Sequence, residues 1–172
     1  MPPLTPYNPL WPKQAEVLIK ELTDLLGSAC IEIHHIGSTS VRGLTAKPVI
    51  DLLPVVTSHA ALDAKRPALE SAGFEWMGNF GLPGRTYLHR DHACGTRQVQ
   101  AHCYEQGSAE IKRHLAFRDL LRRDSHVRAA YGATKARCLG EHPNDHAAYG
   151  ACKSALIDTL EARALLMESP IS

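Results

Sequence analysis

At 172 residues, with 44% hydrophobic and 22% charged residues, the chain has the size and composition of one ordinary globular domain spanning residues 1–172, and intrinsic disorder is excluded. Nineteen Lys and Arg against eighteen Asp and Glu leave a net charge of +1, too little for the basic footprint of a duplex-binding protein, so bulk nucleic acid is not an expected partner. No apolar run approaches the roughly 18 residues that a membrane span needs, no signal-peptide pattern is visible at Met1–Thr5, and the five cysteines form no C-x-x-C pair. An odd cysteine count in such a chain reads as reduced thiols, and the expected location is the cytoplasm.

In chain order, residues 12–26 place Ala15, Leu18, Ile19, Leu22, Leu25 and Leu26 at helical spacing, with Pro12 in the first turn and Gly27 as the stop. Residues 30–36 are short and rich in isoleucine. Residues 48–56 form a nearly unbroken apolar run, so both segments are expected as central strands of a sheet. Residues 58–72 have helical composition, with Ser58 as N-cap and Gly73 as stop, although Pro67 must kink or split the helix. Residues 74–77, 86–89 and 97–104 read as three strands of a meander, separated by a glycine-rich stretch and a polar turn. From Ser108 onward the pattern is helical in three segments: one around Ile111–Leu121, then 127–139, then 145–166 after the break at His142-Pro143-Asn144. The expected class is α/β (α+β): a mixed sheet flanked by helices, with three helices at the C-terminal end.

One short repeat stands out, because Ala129-Ala130-Tyr131-Gly132-Ala133-Thr134-Lys135 recurs 18 residues later as Ala147-Ala148-Tyr149-Gly150-Ala151-Cys152-Lys153. Each Tyr lies four residues before its Lys, on one helix face. The period is too short for a solenoid unit, and chance within alanine-rich helices accounts for it, so no mechanism is drawn from it.

The most informative stretch runs from His34 to Leu53. A strand that ends in Gly37-Ser38 and opens a short helix offers backbone N–H groups and hydroxyls to an anion, and a phosphate suits such a turn. Asp51, inside an apolar strand, needs a donor, a cation or a metal ion if it is buried, and Lys47 is near enough in sequence to help. The spacing is neither a Walker A loop nor a nucleophile elbow. A purely structural role, with Gly37 making the turn, Ser38 capping it and Asp51 pairing with an arginine, accounts for the same residues.

The run His35-Ile36-Gly37-Ser38-Thr39-Ser40-Val41, then Gly43-Leu44, Ala46-Lys47-Pro48 and Ile50-Asp51, resembles the signature of the GrpB family, also called UPF0157, within the nucleotidyltransferase-like superfamily. The resemblance extends to Tyr7–Trp11, Arg97–Tyr104, Phe117-Arg118-Asp119 and Tyr149 with Lys153, and so covers nearly the whole chain. It implies a nucleotidyltransferase-like mixed sheet in which Gly37 and Ser38 hold a nucleotide phosphate and carboxylates hold divalent metal ions. Domains of this kind are also found fused behind dephospho-CoA kinase, as a folding accessory. The sequence departs from that pattern where active nucleotidyltransferases carry two acids one position apart, because Val49 and Leu53 flank Asp51 at that spacing. One aspartate alone supports at most one weakly held Mg ion. His102 is the best candidate for a second ligand, and the pair suits Zn or Mn better than Mg. Another family histidine is absent near Gln100, and Arg42 stands where proline is usual.

Two readings follow. One is a metal-dependent nucleotidyltransferase, with Gly37, Ser38 and Ser40 on phosphates, Asp51 as the catalytic residue and with His102 on the metal, and Lys47 or Arg85 on developing charge. The other is a non-catalytic accessory module that binds a nucleotide or a protein. Both make a nucleotide or another phosphorylated small molecule the expected partner. Lesser candidates are His89, His92 and Cys94 as a zinc trio, against ordinary surface residues. Arg118 and Arg122 form a basic helix side that is either solvated or faces an anion, and His35 is favoured over His34 as the histidine that faces the site.

Overall fold

The computed structural model describes residues 2–168. Helix α1 (Trp11–Leu26) begins with Pro12 in its first turn and ends at Gly27, whose positive φ of 53° turns the chain into the first strand. Its stripe of Trp11, Ala15, Leu18, Leu22 and Leu26 is buried, and each such leucine contributes roughly 1.5–3 kcal/mol on leaving water. Strand β1 (Cys30–Ile36) follows, then a 3-10 turn at Ser38–Ser40, then β2 (Ile50–Val56). Proline divides the next segment into α2 (His59–Asp63) and α3 (Arg66–Ser71), with the Ser58 hydroxyl accepting from Ala61 N as N-cap. The short β3 (Glu75–Trp76), β4 (Arg85–Asp91) and β5 (Arg97–Glu105) form the expected meander.

The five strands lie in the order β1-β2-β5-β4-β3, with only β2 and β5 parallel. Strand β2 is interior and buried almost throughout, as its apolar run requires. Strand β1 is not central: it is an edge, and its Ile31 is 42% exposed. An isoleucine-rich segment can lie at an edge because one of its faces still packs on the core.

The sheet separates two apolar layers. On one face α1, α2 and α3 pack over Leu52, Val56, Leu88, Val99, Ala101 and Cys103. The period of two along a strand turns Gln100 and His102, between those buried β5 residues, to the other face. That face carries α4 (Ala109–Arg123), capped by Ser108, α5 (Ser125–Glu141), capped by Asp124, and α6 (His146–Glu168). Leu120, Leu121, Val127, Tyr131 and Leu160 join these helices to Val41 and Leu44 of the loop between β1 and β2. A disulfide, Cys138–Cys152, ties α5 to α6, against the expectation of reduced thiols; Cys30, Cys94 and Cys103 are free. The spacing of 14 residues is no motif, so only the packing of the two helices brings the pair together. No helix among the described residues is long and apolar enough to cross a membrane.

Candidate functional site

The site begins where β1 ends. Gly37 adopts φ 67° and ψ −174°, a region open to almost no other residue. Asp51 of β2 pairs with Ile36, next to it, and a Cβ placed on Gly37 would stand 2.2 Å from Asp51 Oδ2. Glycine therefore lets the turn and the carboxylate share one spot. The turn is braced from behind: Ser40 Oγ donates to Gly37 O at 2.6 Å, His35 Nε2 meets Thr39 Oγ1 at 2.9 Å, Arg118 Nη1 donates to His35 O at 3.3 Å, and Arg122 Nε donates to Ser40 O at 3.1 Å. Burial holds His35 down at about 4, against an ordinary value of 6.5, even though the Asp51 charge pulls the other way. It serves as a neutral strut.

Ser38, half-buried, faces the cleft. A cavity of about 260 Å3 is lined by Ser38, Asp51, Lys47, Lys135, Tyr149 and Lys153, among others. A second, of about 250 Å3, shares Ser38, Asp51 and Lys153 and adds His102 and Arg118. The expected meeting of Ser38, Asp51 and Lys47 is thus present in the geometry, and His102 joins it with Nε2 3.9 Å from Asp51 Oδ1. Two other expected residues point elsewhere. Ser40 spends its hydroxyl on Gly37 O. Arg85 lines neither cavity and donates through Nη2 to the carbonyls of Asn79, at 3.2 Å, and Phe80, at 2.9 Å. His89, His92 and Cys94 form no ligand cluster; among the described residues the only group with metal-ligand spacing is Cys138, Glu141 and Cys152, whose two sulfurs are bonded to each other in the disulfide and so offer no thiolate.

What the sequence reading set aside is at the centre of the cleft: both copies of the Tyr–Lys repeat reach it. Lys135, only 2% exposed, donates to Ser38 Oγ at 2.9 Å and to Thr45 O, and lies 5.0 Å from the Tyr131 ring centroid. Tyr149 receives the Lys47 ammonium at 4.0 Å and that of Lys153 at 4.6 Å. The four-residue Tyr-to-Lys spacing, repeated on two helices that face each other, was the signal. Burial and the neighbouring Lys153 charge push Lys135 down from 10.5 to about 7. Burial likewise lowers Lys153 and Lys47. Three lysines thus line one cavity beside a single carboxylate, Asp51, and such a field favours a multiply charged anion.

The donor set is a poor match for a pair of divalent ions. Among the described residues Asp51 is the one carboxylate lining the first cavity, and its neighbours across the sheet are Ile36 and Gln100; Glu161, which lines the second, accepts from Arg113 Nη1. Arg85 Nη1 donates to His102 Nδ1 at 3.4 Å. Neutral His102 then carries its proton on Nε2, toward Asp51, which leaves no lone pair there for a metal.

Residues 2–163 match the family described as GrpB protein. The chain belongs to the GrpB family. It is 37% identical to the conserved protein GrpB from Enterococcus faecalis, whose crystal structure superposes with a TM-score of 0.90 over 96% of this chain and 98% of that one. It is also 35% identical over 158 residues to UPF0157 protein YqkA of Bacillus subtilis, covering 92% of this chain but 46% of YqkA, and 37% identical to UPF0157 protein SCO7215 of Streptomyces coelicolor, covering 94% and 83%. The fold is that of nucleotidyltransferase-like proteins: the Cid1 poly(U) polymerase bound to MgATP superposes at a TM-score of 0.59 and 13% identity, over 86% of this chain and 50% of Cid1.

Proposed function

We propose that this GrpB protein binds the polyphosphate of a nucleotide at the Ser38 turn, with lysine ammonium groups supplying the positive charge. The reading rests on one observation, the buried Lys135 ammonium on Ser38 Oγ, with Lys47 and Lys153 in the same cavity around a single carboxylate. Phosphate oxygens replace the Ser38 hydroxyl and the Thr45 carbonyl as acceptors for that ammonium. The tyrosine rings lie against the lysine ammonium groups and limit their rotamers, so little entropy is lost on binding. In this reading the chain is a nucleotide-binding module on a nucleotidyltransferase-like fold. A match to 42% of a dephospho-CoA kinase from Mycolicibacterium paratuberculosis agrees with use as an accessory part of a larger enzyme. Metal-dependent nucleotidyl transfer is the second reading, favoured by the place of Asp51 opposite Gly37 and by Cid1, a protein described with MgATP.

A thermal-shift titration with ATP and with inorganic tripolyphosphate, each with EDTA and with Mg, separates the two. The expected result is a rise in Tm with EDTA present for both ligands, reduced in Lys135→Met and retained in Asp51→Asn. A rise that needs Mg and disappears in Asp51→Asn gives the site to metal-dependent transfer instead. No rise in any condition removes phosphate binding at this turn.

A further inference from the structure

The cleft continues past the phosphate turn. Lys47, Gln100 and His146, which line the first cavity, also line an adjoining one of about 380 Å3 whose far wall is Phe80, Tyr87 and His89. Phe80 is 59% exposed and has a backbone φ of 44°, the one positive value outside glycine among the described residues. A bulky residue is uncommon in that conformation and persists only when its surroundings impose it. Here they do: the two Arg85 hydrogen bonds hold the Asn79 and Phe80 carbonyls, and the same guanidinium lies 5.1 Å from the Tyr87 centroid. The Phe80 ring is stacked on Tyr87 at 5.3 Å and 24°, and Tyr87 packs in turn on His102 at 5.3 Å. An apolar ring is thus fixed in a water-facing position, over a row of rings that leads back to Asp51. Beside it His89 is buried, with Nε2 3.3 Å from Glu75, while its Nδ1 has no hydrogen-bond partner among the described residues and Asp91 Oδ1 stands off at 3.8 Å. A buried polar atom without a partner is costly, and a ligand edge with a complementary group would relieve it.

We propose that Phe80 on Tyr87 is a stacking platform for the planar ring of a nucleobase, with His89 at the ring's edge. The proposal rests on the phosphate reading of the adjoining cavity. The ring has two sources: the base of the nucleotide whose phosphates lie at Ser38, or the base of a second molecule next to it. An aromatic floor beside a cationic pocket fits both, because every base has a π face and stacking is tolerant of sequence.

The test uses the whole chain and Phe80→Ala, an exposed position whose truncation leaves the core intact, with Phe80→Trp as the variant that keeps a stacking surface. Affinities are measured by calorimetry for tripolyphosphate, for ATP, and for adenosine in the presence of tripolyphosphate. Tripolyphosphate should bind all three proteins equally. If the base belongs to the same nucleotide, Phe80→Ala weakens ATP about five- to hundredfold, the range that loss of one base stack gives, and Phe80→Trp restores it. If the base comes from a second molecule, ATP is unaffected and adenosine binding is lost in Phe80→Ala alone. Affinities for ATP and adenosine that ignore Phe80, while tripolyphosphate still binds, overturn the platform and leave the phosphate site standing. Adenosine binding that depends on Phe80 without any binding of tripolyphosphate does the reverse.

Discussion

At the scale of single residues, Lys135 sets the chemistry of the cleft. An ammonium 2% exposed has lost most of its hydration, which is why its pKa falls to about 7. In the free protein it is charged below that pH and neutral above it. A bound polyanion favours the charged form and raises the pKa again, so the affinity should be level below pH 7. Above pH 7 binding must take up a proton, and the affinity should fall by up to about tenfold per pH unit until the bound-state pKa is reached. Measuring the tripolyphosphate Kd from pH 6 to pH 8.5 for wild type and Lys135→Met checks this, since the ratio of the two cancels the ligand's own titration. A ratio that does not change with pH would mean that Lys135 is charged throughout. The sequence showed Gly37, Ser38 and Asp51 because they sit on one continuous motif of strand, turn and strand. It hid Lys135 because the Lys135 Nζ hydrogen bond to Ser38 spans 97 residues, and a lysine in an alanine-rich helix reads as solvated.

At the scale of elements, α5 and α6 bring the second half of the site to the first. The sequence located the helices, the meander and the break at Pro67 through periodicity, caps and turn residues. It misplaced β1 at the centre of the sheet, because strand order is set by pairing between distant segments. It took the Tyr–Lys repeat for chance because a repeat has no meaning until the two helices are seen to face each other. The disulfide was hidden for the same reason. It closes a loop of 14 residues, and the chain-entropy relation gives such a loop about 3 kcal/mol of stability. A dithiol reductant should therefore lower Tm by roughly 6–12 °C for a chain of this size. The Cys138→Ala/Cys152→Ala variant should melt near the reduced wild type and ignore the reductant. The same Tm with and without reductant would mean that the two thiols are not bridged in solution.

At the scale of the whole molecule, the sheet and the C-terminal helices each hold half of the cleft. Gly37 and Ser38 belong to the turn after β1 and Asp51 to β2, whereas Lys135 belongs to α5 and Tyr149 and Lys153 to α6. Between them stand the loop residues Val41 and Leu44, packed on the helices, and the approach of α5 at Gly132, where an added Cβ would lie 3.4 Å from Leu44 Cδ1. A polyanion that bridges the turn and the lysines couples the two halves, because either half must release the ligand before it can open alone. Ligand at a hundred times its Kd adds about 2.7 kcal/mol to any opening that destroys the site. Amide hydrogen exchange with saturating tripolyphosphate should then slow at residues 37–41 and in α5 and α6 together, by up to about a hundredfold where exchange proceeds through that opening. Helices α2 and α3, on the opposite face of the sheet, should change only where they exchange by global unfolding. Protection confined to α5 and α6, with the 37–41 turn unchanged, would place the anion on the lysines alone and take Ser38 out of the site.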